Sequence, residues 1–151
     1  MEREQLQEFI STNHAGIAAV EGGQWLNITV PADQWHDIAT WLRDQPELSF
    51  DYLFCLTCID RMKNLEMVYH LESMTHRHMV VVKIVLDRES PVTDTICDIW
   101  RTAEFHEREV CEMFGVHFNH HPDLRKLILP DDWEGFPMRK DYEDPVNLIK
   151  L

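Results

Sequence analysis

The chain has 151 residues, the size of one ordinary domain, with 44% apolar and 27% charged residues. Its net charge is −13, a balance that repels phosphate backbones and argues against nucleic-acid or anionic-lipid binding as its main activity. The longest strongly apolar stretch, 79–86, is broken by Lys83 and is far short of the roughly 20 residues that span a bilayer. The opening Met-Glu-Arg-Glu-Gln lacks the basic start and apolar run of a secretion signal. Cys55, Cys58, Cys97 and Cys111 are accordingly expected as reduced thiols in an intracellular domain.

Leu6, Phe9 and Ile10 recur at helical spacing in the first twelve residues and predict a short amphipathic helix. Residues 15–20 and 24–30 flank Glu21-Gly22-Gly23, whose paired glycines suit a tight hairpin turn. Pro31 opens a second helix, with Trp35, Ile38, Ala39 and Leu42 on one face.

Three strands are predicted next, at 51–59, 65–72 and 79–86. The middle one alternates, placing Leu65, Met67, Tyr69 and Leu71 on one face. The third is apolar almost throughout, as expected of a central strand covered on both faces. Ser90-Pro91 reads as an N-cap and first helical position, with Ile96, Ile99, Trp100 and Ala103 as the apolar face of the helix it begins. A second helix or bent continuation runs to Phe114 and stops at Gly115, after which Val116 is placed to pack back over Val110 or Cys111. This order predicts an α+β fold: a single mixed or antiparallel β-sheet with helices packed on it.

From Val116 the periodicity disappears, and Pro122, Pro130, Pro137 and Pro145 punctuate the remaining 36 residues. The segment still holds Leu124, Leu127, Ile128, Leu129, Trp133, Phe136 and Tyr142, which is not a disordered composition. We therefore divide the chain into an α+β core, 1–115, and an extended C-terminal arm, 116–151. Fully extended, such an arm reaches on the order of 110 Å, and part of its apolar surface is expected to be buried by a partner protein.

Several patterns look like chemistry. Cys55 and Cys58 form C-x-x-C, but on a strand residues three apart face opposite ways, so core cysteines are expected. His117, His120 and His121 could supply three imidazoles to a catalytic metal; without an H-E-x-x-H helix they are expected to order the turn or bond a partner. Glu104, Glu107, Arg108, Glu109 and Glu112 crowd one helix, where Glu104–Arg108 and Arg108–Glu112 are i,i+4 pairs. A solvated charged face explains such a run; an arginine flanked by carboxylates and then covered would be a recognition element. Phosphate-binding glycine motifs, a G-x-S-x-G elbow and iron–sulfur cysteine spacing are all missing.

The stretch 107–115, Glu-Arg-Glu-Val-Cys-Glu-Met-Phe-Gly, together with His121-Pro122-Asp123-Leu124-Arg125-Lys126-Leu127-Ile128-Leu129-Pro130 and Gly135-Phe136-Pro137-Met138-Arg139-Lys140-Asp141-Tyr142, resembles a known family. It is that of the C-type, or thirty-kilodalton, subunit of the proton-pumping NADH:quinone oxidoreductase (respiratory complex I). The motifs cover 99–144. His120 departs from the pattern, because the family usually has Gly there.

The resemblance implies a stand-alone, non-catalytic peripheral-arm subunit. It would dock on the large hydrophilic D-type subunit, near those carrying the iron–sulfur chain, and support electron transfer from NADH to quinone. The resemblance implies no cofactor on this chain, with iron–sulfur clusters and FMN in partner subunits. It also implies a peripheral place on the cytoplasmic face of the membrane, reached only through the complex. Glu107, Arg108, Glu109, His121, Arg125, Arg139, Lys140 and Asp141 are then candidates for docking and assembly. Two other readings compete: the equivalent subunit of a membrane-bound hydrogenase or ferredoxin-dependent complex, and a metal hydrolase built on His117, His120 and His121.

Overall fold

The computed structural model describes residues 1–144; the end of the predicted arm, 145–151, lies outside them. Helix α1 (Arg3–Asn13) buries Leu6 and Ile10 and stacks Phe9 on Trp41, ring centroids 6.5 Å apart. Strands β1 (Ala18–Val20) and β2 (Leu26–Thr29) form the expected antiparallel hairpin, turning at Gly22 and Gly23 with φ of +101° and +81°. A 3₁₀ turn (Ala32–Gln34) leads into α2 (Trp35–Asp44), whose buried face is Trp35, Ile38, Ala39 and Leu42, the set that the spacing predicts.

Strands β3 (Tyr52–Asp60), β4 (Asn64–Glu72) and β5 (Met79–Asp87) follow. The sheet order is β1-β2-β5-β4-β3, antiparallel except for β2 with β5. Leu65, Met67, Tyr69 and Leu71 are completely buried on one face, where Trp35 of α2 meets Tyr69 at 4.6 Å between centroids.

The far face corrects one expectation. Strand β5 is central, yet Val85 is 46% exposed, so the strand is not covered on both faces. Only the Val81 end of that side is screened, by the sheet's own rings: Trp25, Phe54 and His70, the last paired with Val81, meet with centroids 5.6–6.1 Å apart. In β3 the register shifts between Leu53 and Cys55; Cys55 then pairs with His70 on the far face and Cys58 with Met67 on the core face. The two thiols point opposite ways, as the strand period requires.

A second correction concerns Ser90-Pro91, which opens a strand and not a helix. Strand β6 (Val92–Asp94) pairs in parallel with β7 (His117–Asn119), forming a small second sheet that the sequence did not reveal. β-Branched Val92 and Thr93 suit an extended backbone, and the Pro91 carbonyl accepts the His117 amide at 2.9 Å. Helical geometry is confined to one turn, where the Trp100 amide bonds the Ile96 carbonyl at 2.9 Å. The Trp100 indole N–H then donates to the Phe50 carbonyl at 2.9 Å and the Thr102 hydroxyl to the Leu53 carbonyl at 2.8 Å. Ile96, Trp100 and Ala103 are still core residues, which is why their periodicity misleads. Helix α3 (Ala103–Phe114) ends at Gly115 with φ +78°, and Val116 is fully buried.

Candidate docking surface

Three carboxylates on α3 face three different surroundings. Glu107 is fully buried; its Oε1 accepts the Ile96 amide at 2.9 Å and its Oε2 the Thr95 hydroxyl. Burial pushes its carboxyl up to about 7, although both hydrogen bonds favour the charged form. Glu112 is also buried, and receives the consecutive amides of Leu127, Ile128 and Leu129 at 2.9–3.2 Å. Glu109 is exposed, and has neither a hydrogen bond nor an ion pair among the described residues.

Arg108 does not pair with Glu104 or Glu112. Its Nε donates to the Arg125 carbonyl at 2.8 Å and its Nη2 to the Lys126 carbonyl at 3.1 Å. Together Arg108 and Glu112 hold one stretch of arm by its carbonyls and by its amides. This satisfies backbone groups that an irregular segment would otherwise leave unpaired.

The arm as far as Asp141 is tied down in the same manner. Lys126 donates its ammonium to the carbonyls of Pro130, Asp131 and Trp133 at 2.8–3.3 Å. The Met138 amide bonds the Met113 carbonyl at 3.1 Å, and Arg139 Nε the Phe114 carbonyl at 2.7 Å. Asp60, at the end of β3, accepts the Lys140 amide at 2.9 Å while Arg88 grips it with two donors at 2.9 and 3.0 Å. Those contacts hold the Asp60 carboxyl well below the usual range, the Arg88 guanidinium foremost. Arg88 reaches Asp141 as well, at 2.7 Å.

Phe136 packs where Gly115 lacks a side chain: a Cβ built there would lie 2.6 Å from the Phe136 ring. That contact and its positive φ require glycine at 115.

The candidate site residues thus divide. Glu107, Arg108, His121, Arg139 and Asp141 bond within the chain, and Lys140 does so through its amide. Arg125, exposed, chelates Asp123 at 2.8–3.1 Å and holds that carboxyl down to about 2. Among the described residues, the Glu109 carboxylate and the Lys140 ammonium form neither a hydrogen bond nor an ion pair. Glu112, Asp60 and Arg88 were missed as organisers of the arm. Glu112 reads in sequence as a partner for Arg108, and Asp60 and Arg88 lie outside the motif stretches; an acid ending an otherwise apolar strand was the available signal.

The three histidines do not converge. His117 and His120 are exposed, whereas the His121 ring is buried, its Nδ1 accepting the Asp123 amide at 3.0 Å and its Nε2 donating to the Glu104 carbonyl at 3.0 Å. Cys97, Glu107 and His121 do place donor atoms within 4.8 Å of one another. Both His121 nitrogens are committed, however, so no lone pair remains for a metal in this arrangement. The imidazole orders the turn.

Exposed apolar side chains stand among the charged ones on the resulting surface. Phe105 of α3 is 56% exposed, and along the arm Leu127, Ile128, Phe136 and Met138 are 40–60% exposed. No helix among the described residues is long and apolar enough to cross a membrane.

The family model described as "Respiratory-chain NADH dehydrogenase, 30 Kd subunit" matches residues 28–146. The C-type NADH-quinone oxidoreductase subunit of Chlorobium phaeobacteroides is 46% identical over 74% of this chain and 69% of its own length. A C/D-type NADH-quinone oxidoreductase subunit of Phocaeicola vulgatus is 40% identical over 82% of this chain, which spans 24% of that protein. Among solved structures, a chain of the membrane-bound sulfane sulfur reductase, an archaeal respiratory membrane complex, superposes with a TM-score of 0.81 at 26% identity, over 95% of this chain and 86% of that one. The trypsin-resistant fragment of Nqo5 superposes with a TM-score of 0.68 at 25% identity, over 82% of this chain and all of that one. The chain belongs to the 30-kDa subunit family of the respiratory-chain NADH dehydrogenase.

Proposed function

We propose that this chain is a non-catalytic docking subunit in the peripheral arm of a proton-translocating NADH:quinone oxidoreductase. The observation that carries the reading is the arm itself. Arg108, Glu112 and Asp60 hold backbone groups of the arm from within the chain, while Leu127, Ile128, Phe136 and Met138 remain 40–60% exposed. Apolar side chains fixed outward on an ordered strap are what a protein partner buries.

The D-type subunit is the proposed partner, and the C/D name of the Phocaeicola vulgatus relative supports it. On this reading the chain binds no cofactor. FMN and the iron–sulfur clusters reside in neighbouring subunits, which carry electrons from NADH to quinone, and the chain reaches the cytoplasmic face of the membrane only through the complex. The folded body runs past the expected boundary at 115, since Val116 and Phe118 are core residues and β7 pairs with β6, and the docking element is the arm that follows.

The likeness to the sulfane sulfur reductase chain favours a second reading, in which the same subunit serves a related membrane complex with another electron donor or acceptor. Purification from gently solubilised membranes with this chain as bait tests both. Co-purification of the D-type subunit with NADH-oxidising subunits supports the first, and a large subunit from another oxidoreductase class supports the second. Recovery of the chain alone overturns the docking reading. The variant Ile128→Asp is expected to reduce recovery of the partners.

A further inference from the structure

Beside the arm runs a cleft of about 110 Å³ between β3, α3 and the strap, walled by Leu56, Val110, Met113, Phe114 and Met138. It has room for one long side chain but not for a helix, which is about 10–12 Å across. Glu109 also lines the cleft, and its charge acts on Cys55, whose thiol is raised by burial and, secondarily, by that carboxylate.

Two cations of α3 and the strap are committed elsewhere, and no described cation forms an ion pair with Glu109. Arg108 serves the Arg125 and Lys126 carbonyls, and Arg139 serves the Phe114 carbonyl with its guanidinium over the Phe136 ring. Arg101 leans toward Glu104 at 3.9 Å. An uncompensated carboxylate beside an apolar slot has a specific complement: an alkyl stem ending in a cation.

We infer that this cleft receives an arginine or lysine side chain of the partner subunit, its methylenes against Val110, Met113 and Met138 and its cation on Glu109. The inference rests on the docking reading above and deepens it, because Met138 belongs both to the cleft and to the exposed apolar strip. Closing the interface over Glu109 removes water from the pair and makes its hydrogen bonds count for more than at an open surface. The chain's net charge of −13 draws a basic partner surface toward it.

The test uses the detergent-solubilised complex from cells carrying Glu109→Gln or Glu109→Lys, washed at increasing salt, with the fraction of this chain retained as the readout. Glu109→Gln is expected to weaken retention at least about tenfold and to flatten its dependence on salt. Glu109→Lys should weaken it further. Both purified variants should melt with the parent protein, since Glu109 has no bond within the described chain to lose.

Unchanged retention of either variant, with Ile128→Asp still disrupting the complex, overturns the inference and leaves the docking reading intact. If Ile128→Asp also has no effect, the docking reading fails with it. A drop in melting temperature equal to the loss in assembly makes Glu109 structural and overturns the inference as well.

Discussion

The Glu112 carboxylate on α3 accepts the backbone amide of Ile128, sixteen residues further on, at 2.9 and 3.2 Å. It takes the amides of Leu127 and Leu129 too, so one buried side chain does for the arm what a neighbouring strand does in a sheet. Removing it leaves three amides without an acceptor, each worth about 1–3 kcal/mol if buried and unpaired. Glu112→Ala should therefore speed amide exchange at 127–129 strongly while β4 and β5 stay protected. Exchange rates read by NMR on the isolated chain check this; unchanged rates at 127–129 would mean that the carboxylate does not hold the strap.

Arg108 acts on the same stretch from the carbonyl side. Arg108→Ala gives up two charge-assisted bonds, to Arg125 and Lys126, and leaves the core packing of α3 intact. Assembly should suffer more than the melting temperature of the isolated chain, because the loss falls on the shape of the docking surface. Thermal unfolding and recovery of the complex, compared side by side, decide it. Arg108→Lys should rescue little, since a point cation does not reproduce a fork of donors reaching two carbonyls.

Burial of Glu107 makes stability fall as pH rises. Its carboxyl goes from an ordinary 4.5 to about 7 in the folded chain, so between those values the folded state holds a proton that the unfolded state has released. The contribution favours folding below about pH 4.5, declines up to about pH 7, and is constant above. Asp98 adds to the shift, and His121 and Tyr69 also lie in its surroundings. Glu107→Gln keeps an oxygen for the Ile96 amide and an N–H for the Thr95 hydroxyl without the charge. Urea unfolding from about pH 5 to 8 should show the decline in the parent and a flatter profile in the variant, which becomes the more stable of the two at the alkaline end. A parent profile with no decline would contradict it.

Much of this was legible in the sequence. The helix faces of Leu6 and Ile10 and of Trp35, Ile38, Ala39 and Leu42, the glycine hairpin and the three long strands all follow from hydrophobic period and turn chemistry, which are local. What failed was non-local. Strand β6 exists because β7 lies beside it, more than twenty residues away along the chain, and no feature of Ser90-Pro91 announces that pairing. The C-terminal arm was recognisable as apolar yet irregular, but its path depends on Glu112, Asp60 and Arg88, whose roles come from burial and not from spacing. Charge patterning favoured Arg108 pairs along the helix. The structure gives Arg108 to carbonyls instead, because an unsatisfied backbone is worse than an unpaired surface charge.

Gly115 offers the sharpest check on the arm's attachment. Its φ of +78° lies in the left-handed region, where a Cβ costs about 1–2 kcal/mol. The added carbon would also stand 2.6 Å from the ring of Phe136, a side chain on the strap that the neighbouring Arg139 guanidinium covers at 5.0 Å. Gly115→Ala therefore acts twice, straining the end of α3 and pushing Phe136 outward. Pairing it with Phe136→Ala separates the two effects. If the ring contact matters, the double variant should be more stable than the sum of the single losses predicts, because the clash disappears with the ring. Strict additivity in urea unfolding would assign the whole loss to backbone strain and detach Phe136 from the helix end.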